Sequence, residues 1–259
     1  VIPDETPFPS QRTVLEARAG YTITRDGWGM VQRVPMGAKF YESLSVALPD
    51  KRLLDGLAFE SPWLDSRYAP LEEVQPLQRK RCVLIKTGGP YLRTSNLRGT
   101  EQWLIDLVED PVFAHELAMK VTRHITAVGL EALRRYNAYE AGIWFFDDMG
   151  ANIGPMFSPR TFERVLYPCY RWMCEQYRAA GARHILLHCD GNIEVILDGL
   201  LDAGIMGLHP VEPKAGMDAL ALRTKFGRRL ALLGGLDNAH ILPRGDRAQV
   251  EAHVRRVLE

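Results

Sequence analysis

From about residue 80 onward the chain alternates short apolar runs with long stretches of helical periodicity. The runs are Cys82 to Ile85, Ile143 to Phe146, His184 to Leu187, Ile205 to Leu208 and Leu230 to Leu233. Uninterrupted apolar runs of this length suit parallel strands covered on both faces. Between them, Asp110-Pro111 supplies a helix cap and a first-turn proline, and Phe113, Leu117, Val121, Ile125 and Val128 then recur on one face. Ser158-Pro159 repeats the device, with Phe162, Val165, Leu166, Cys169 and Met173 as the buried stripe, Pro168 as a kink and Gly181 as the stop. Shorter helices are predicted over 193–203, 218–226 and 247–258. Strand alternating with helix implies a parallel sheet with right-handed crossovers.

A closed eight-stranded (β/α) barrel and an open doubly wound sheet both fit that alternation. The dinucleotide fingerprint GxGxxG is absent, which counts against the second. Five strands are clear. The first eighty residues add one hairpin, Tyr21 to Val34 around Asp26-Gly-Trp-Gly29, and little that reads as βα repeats. The chain starts without methionine and ends inside a helical pattern at Glu259. The expectation is an α/β protein with one domain over 1–259, a TIM-type (β/α)8 barrel incomplete at both ends in this chain.

Composition narrows the function classes. Of 259 residues, 46% are hydrophobic and 25% charged, an ordinary globular balance. Basic and acidic residues number 32 each, so no global field draws the protein to nucleic acid or anionic lipid. No run approaches the ~20 apolar residues of a membrane helix, and Val1-Ile-Pro-Asp-Glu has no signal-peptide layout. A soluble, cytoplasmic protein is expected. Cys82, Cys169, Cys174 and Cys189 lack CxxC spacing and are read as reduced, with Cys169 and Cys174 as packing residues.

In a (β/α) barrel, the C-terminal ends of strands carry the chemistry. Reading past each run gives Lys86-Thr-Gly-Gly-Pro90, Asp147-Asp148, His188-Cys-Asp190, His209-Pro-Val-Glu212 and Asp237. Any one of these could be turn chemistry. Two histidines and several carboxylates at successive strand ends exceed what turns require, and imidazole with carboxylate suits zinc and similar ions. His115, His124, His184, His240 and His253 read as structural or solvent-facing, and the basic runs Arg79-Lys-Arg81 and Arg228-Arg229 as solvation of the opposite end.

These motifs resemble the uroporphyrinogen decarboxylase superfamily, which includes that haem-pathway enzyme, corrinoid-linked methyltransferases and, more distantly, cobalamin-independent methionine synthase. Gly88-Gly-Pro-Tyr91 is similar to the family's Gly-Pro-aromatic turn, and Phe146-Asp-Asp-Met-Gly150 with Phe157-Ser-Pro159 to its strand-end aspartate and helix start. Met217-Asp218 and Gly234-Gly-Leu-Asp237 match its later segments. The methyltransferases carry a His-x-Cys zinc pair where this chain has His188-x-Asp190, and Glu212 follows at an interval similar to the synthase's. The resemblance therefore implies a divalent metal, zinc or similar, on His188, Asp190 and Glu212, with a last ligand beyond Glu259. Placement at strand ends marks Asp147, Asp148, His209 and Asp237 as catalytic candidates, and the resemblance adds Asp26, with Trp28, Gly89 and Tyr91 as cofactor-facing. The reaction implied is methyl transfer between a small-molecule donor or acceptor and a corrinoid carried by a partner protein that docks near Trp28, or to a thiol. Two alternatives stand beside it. One is metal-free porphyrinogen decarboxylation with Asp26 stabilising charge on a pyrrole; the decarboxylase's usual tyrosine after the turn is replaced by Arg93-Thr-Ser-Asn96. The other is a metal-binding barrel without turnover.

Overall fold

The computed structural model describes residues 2–38, 40–69, 76 and 80–258. The N-terminal part is an antiparallel meander of β1 (Thr13–Arg18), β2 (Tyr21–Arg25), β3 (Val31–Pro35) and β4 (Glu42–Ser45). The predicted hairpin is β2 with β3, Tyr21 opposite Pro35 and Arg25 opposite Val31. Its turn is held by Asp26, whose side chain accepts the Trp28 amide at 2.9 Å and the Met30 amide at 3.0 Å. Gly29 sits at φ +77°, where a side chain would be strained.

The second part alternates strands and helices. In chain order it runs β5 (Ile85–Gly88), α1 (Pro90–Arg98), α2 (Thr100–Glu109), α3 (Pro111–Tyr136) and β6 (Ile143–Phe146). A small ribbon, β7 (Gly150–Ala151) with β8 (Gly154–Pro155), precedes α4 (Pro159–Thr161) and α5 (Tyr167–Ala179). Then come β9 (Ile185–His188), α6 (Leu197–Ala203), β10 (Gly207–Val211), α7 (Ala219–Phe226), β11 (Ala231–Gly234), α8 (Ile241–Arg244) and α9 (Arg247–Leu258).

Strands β5, β6, β9, β10 and β11 form one parallel sheet in that spatial order. Each strand lies beside the one that precedes it in the chain, with no reversal. A doubly wound sheet reverses its order at a switch point; the wall of a (β/α) barrel does not. Among the described residues the wall is an open arc with β5 and β11 at its edges. One face is buried throughout: Ile85, Thr87, Ile143, Phe145, Ile185 and Leu187 pack towards the helices, with Phe145 5.5 Å from the Tyr177 ring of α5. The other face, bearing Lys86, Trp144, Phe146, Leu186 and His188, is only half-buried. The expectation of strands covered on both faces thus gives way to one covered and one inner face, because residues alternate sides along a strand and a barrel wall turns one side to its axis.

Helix ends follow the sequence signals. Asp110 accepts the Phe113 amide at 3.2 Å and Ser158 the Thr161 amide at 3.1 Å. The stripes from Phe113 to Val128 and from Phe162 to Met173 are buried. The kink expected at Pro168 is a widened π turn over Phe162–Leu166, just ahead of the residue that has no amide hydrogen to give. Every strand except β6 begins one to three residues later than its apolar run, since polar residues such as Lys86, His188 and His209 belong to the strands. Helix α1 carries no apolar stripe, whereas α2 buries Trp103 and Leu107 one turn apart. Arg79, from one of the two basic runs, lies outside the described residues.

Candidate functional site

Because the five strands are parallel, their C-terminal ends share one rim; Asp147, Asp148, Asp190, Glu212 and Asp237 follow those ends, His188 closes β9, and His209 lies within β10. Three of them converge. One donor atom from each of Asp148, His188 and Asp190 lies within 4.8 Å of the others. His188 Nε2 is 3.5 Å from Asp148 Oδ1 and 3.8 Å from Asp190 Oδ1. These separations exceed a hydrogen bond but match the edge of a tetrahedron of ligands around an ion ~2.1 Å from each, about 3.4 Å. Asp148 also accepts the Asp190 amide at 3.2 Å, and partial burial raises its pKa above the usual carboxylate value.

The His188 ring is held on its other side. Its Nδ1 lies 2.8 Å from Nδ1 of His209, so one ring donates and the other accepts. With His188 as donor, its Nε2 lone pair points at the two carboxylates, the tautomer a metal ligand needs. The ring stacks on Phe146 at 4.8 Å and on His209 at 4.9 Å, while Trp144 lies 5.0 Å from His209. Burial, and then His188, lower the His209 pKa.

The other expected site residues take different positions. Glu212 lies outside the three-group cluster and accepts the Gly191 amide at 2.9 Å. Asp147 is wholly buried; it accepts the Tyr91 amide at 3.0 Å, the Leu92 amide at 2.6 Å and the Tyr170 hydroxyl. It thereby holds the first turn of α1, and burial pushes its pKa up to about 6. A side chain at Gly89 would overlap the Asp147 carboxylate, so the Gly-Gly-Pro turn is small for a packing reason. Tyr91 is buried against Phe157 at 5.2 Å. Asp237 accepts the Ala239 and His240 amides, which lowers its pKa, and its own amide donates to His253. Asp26 stays in its hairpin turn, and Trp28 is only 7% exposed.

Trp28 sits under Arg93 of α1, 5.4 Å from the guanidinium carbon. Arg93 pairs at 2.6 Å with Glu5, whose other oxygen accepts the Gly88 amide at 2.6 Å at the end of β5. Glu5 is placed there by Arg67, a buried guanidinium that donates to the Asp4, Thr6, Glu60 and Ser61 carbonyls. No local pattern marks this clasp, because its groups are some sixty residues apart in the chain. Cys189, between His188 and Asp190, turns away from the cluster into the core, where its sulfur accepts the Met149 amide at 3.3 Å. Cys169 and Cys174 are also buried, whereas Cys82 is exposed. Below the rim, Cys82, Val83, Leu84, Lys86, Trp144, His188 and His209 line an open cleft of about 500 Å³.

The sequence profile of the family described as Uroporphyrinogen decarboxylase (URO-D) matches residues 74–259. A comparison with curated protein sequences gave no match. Among solved structures, a methyltransferase from Methanosarcina mazei superposes with a TM-score of 0.68 at 22% identity. The match covers 89% of this chain and 66% of that one, so this chain spans just under two-thirds of the neighbour's length. The likeness shows a common fold.

Proposed function

Since the chain belongs to the uroporphyrinogen decarboxylase (URO-D) family, we propose that it is a metal-dependent methyltransferase moving a methyl group to or from a corrinoid or thiol acceptor. The observation that carries this reading is the Asp148–His188–Asp190 cluster with His188 oriented by His209. Two carboxylates and an imidazole lone pair aimed at one point repel each other, and a divalent cation there turns the repulsion into attraction. Asp148, His188 and Asp190 would hold zinc or a similar ion, with Glu212 near on the next strand. When bound, the ion would supply Lewis acidity to a thiol, oxygen or ether-type group. His209, itself packed by Trp144, fixes the His188 ring, and Phe146 stacks on that ring, so the ligand atom is set before an ion arrives. The fold shared with the Methanosarcina mazei methyltransferase supports the choice of branch. The corrinoid would come on a separate protein meeting the rim, and the chain is read as one barrel domain over 1–259, acting in the cytoplasm.

The decarboxylase reading would give the leading role to Asp26, but one of its oxygens is spent on the Trp28 and Met30 amides. Purified protein should contain close to one equivalent of divalent metal and methylate cob(I)alamin from a suitable donor. His188→Ala should lose both the metal and the methylation by at least tenfold, while Asp26→Ala keeps the metal. Carbon dioxide released from a porphyrinogen, with no methylcobalamin from any donor, would decide for decarboxylation. Metal binding without turnover of either kind would leave the binding-protein reading.

A further inference from the structure

Among the described residues, the inner face of the sheet carries one lysine, Lys86, within β5. Its ammonium lies 4.3 Å from the centroid of Phe146, the ring that stacks on His188. Among the described residues no carboxylate lies within ion-pair distance of it and no acceptor within hydrogen-bond distance. A half-buried ammonium facing an aromatic ring recovers only part of the hydration it gives up. Arg93, the cation at the start of α1 just beyond β5, is engaged with Glu5.

We infer that Lys86 is an anion-binding residue of the mouth, receiving a carboxylate or similar oxyanion on a small-molecule substrate whose other end reaches the Asp148–His188–Asp190 centre. This rests on the metal reading above and adds a substrate class to it. Lys86 and His188 line the same cleft of about 500 Å³, so one short molecule can meet both. Charge accounting points the same way. A divalent ion on the cluster cancels the two carboxylates, and Lys86 then leaves one positive charge on the inner face, matched by a monoanion. The walls beside the ammonium, Val83, Leu84 and Trp144, are apolar and suit the short carbon chain of such a substrate.

The test uses the whole chain with propionate as the probe and propionamide as its uncharged counterpart, titrated by NMR with zinc present and absent. Wild type should bind propionate about tenfold more tightly than Lys86→Met, with propionamide bound alike by both. Lys86→Arg should keep most of the preference, and Lys86→Gln gives a polar variant should the methionine disturb the fold. Equal propionate affinity in wild type and variants, or no saturable binding to any of them, overturns the inference. Zinc content of the same samples separates the two readings. A Lys86-dependent preference in protein that holds no zinc sinks the metal centre alone; normal zinc content without the preference sinks the role of Lys86 alone.

Discussion

His124 carries a pH signature that can be isolated. It lies buried in α3, 5.2 Å from the Phe59 ring, and burial lowers its pKa to about 4. The unfolded chain takes up a proton near pH 6.5 while the folded one resists until about 4. Its contribution is therefore fully present above 6.5 and is lost as pH falls towards 4, at up to about 1.4 kcal/mol per pH unit. Asp147 works in the opposite sense: its raised pKa favours the folded state at low pH and loses that as pH rises through about 6. The two partly cancel in the wild type. The difference in unfolding free energy between wild type and His124→Phe removes the Asp147 contribution, and it should shrink as pH is lowered from 6.5 to 4. A difference independent of pH would show that His124 is not held neutral. Arg67 is a second residue with an outsized role, because one guanidinium satisfies four carbonyls and carries Glu5 to the end of β5. Arg67→Ala should cost about 3 kcal/mol in chemical denaturation, with the N-terminal segment opening to protease first.

At the scale of elements, α1 is fastened to β6 by one carboxylate. Asp147→Ala would leave the Tyr91 and Leu92 amides and the Tyr170 hydroxyl without their acceptor, and should cost about 3 kcal/mol by thermal or denaturant unfolding. Gly89→Ala should destabilise by about 1–3 kcal/mol through overlap with the same carboxylate. These contacts also show which elements the amino-acid order reveals. Helix α3 and the helical stretch after Ser158 announce themselves because they combine a capping side chain, a first-turn proline and a continuous apolar stripe. Helix α1 has the proline but no stripe; its first turn is capped by Asp147, 56 residues away, and no window of sequence contains that partner. For the strands of the parallel sheet, existence was legible from apolar runs, whereas their spatial order and their ends were not, because the same alternation serves a barrel and a doubly wound sheet and because a strand facing a polar mouth goes on through lysine and histidine. The His188-x-Asp190 spacing marked two members of the cluster. That Asp148 rather than Glu212 stands as the third depends on how β6 and β10 flank β9, which is register and not spacing.

For the molecule as a whole, sequential strand order gathers groups from β6 and β9 onto one point, and an ion there would tie the sheet together. Zinc at about a hundred times its dissociation constant should stabilise the wild type by about 2.7 kcal/mol, and His188→Ala by almost nothing. Differential scanning calorimetry with and without zinc would show it; equal shifts in both proteins would mean that the ion binds elsewhere. None of the described helices is long and apolar enough to cross a membrane. The distribution of sulfur across this architecture has a practical corollary. Three thiols are sealed in the core and the fourth, Cys82, opens into the cleft beside Lys86. A maleimide dye should therefore attach at a single place on the native chain, with the other three positions reacting only after denaturation. That dye would stand at the entrance to the inner face, and its emission would become an optical gauge of what enters the cleft, readable without any knowledge of the reaction.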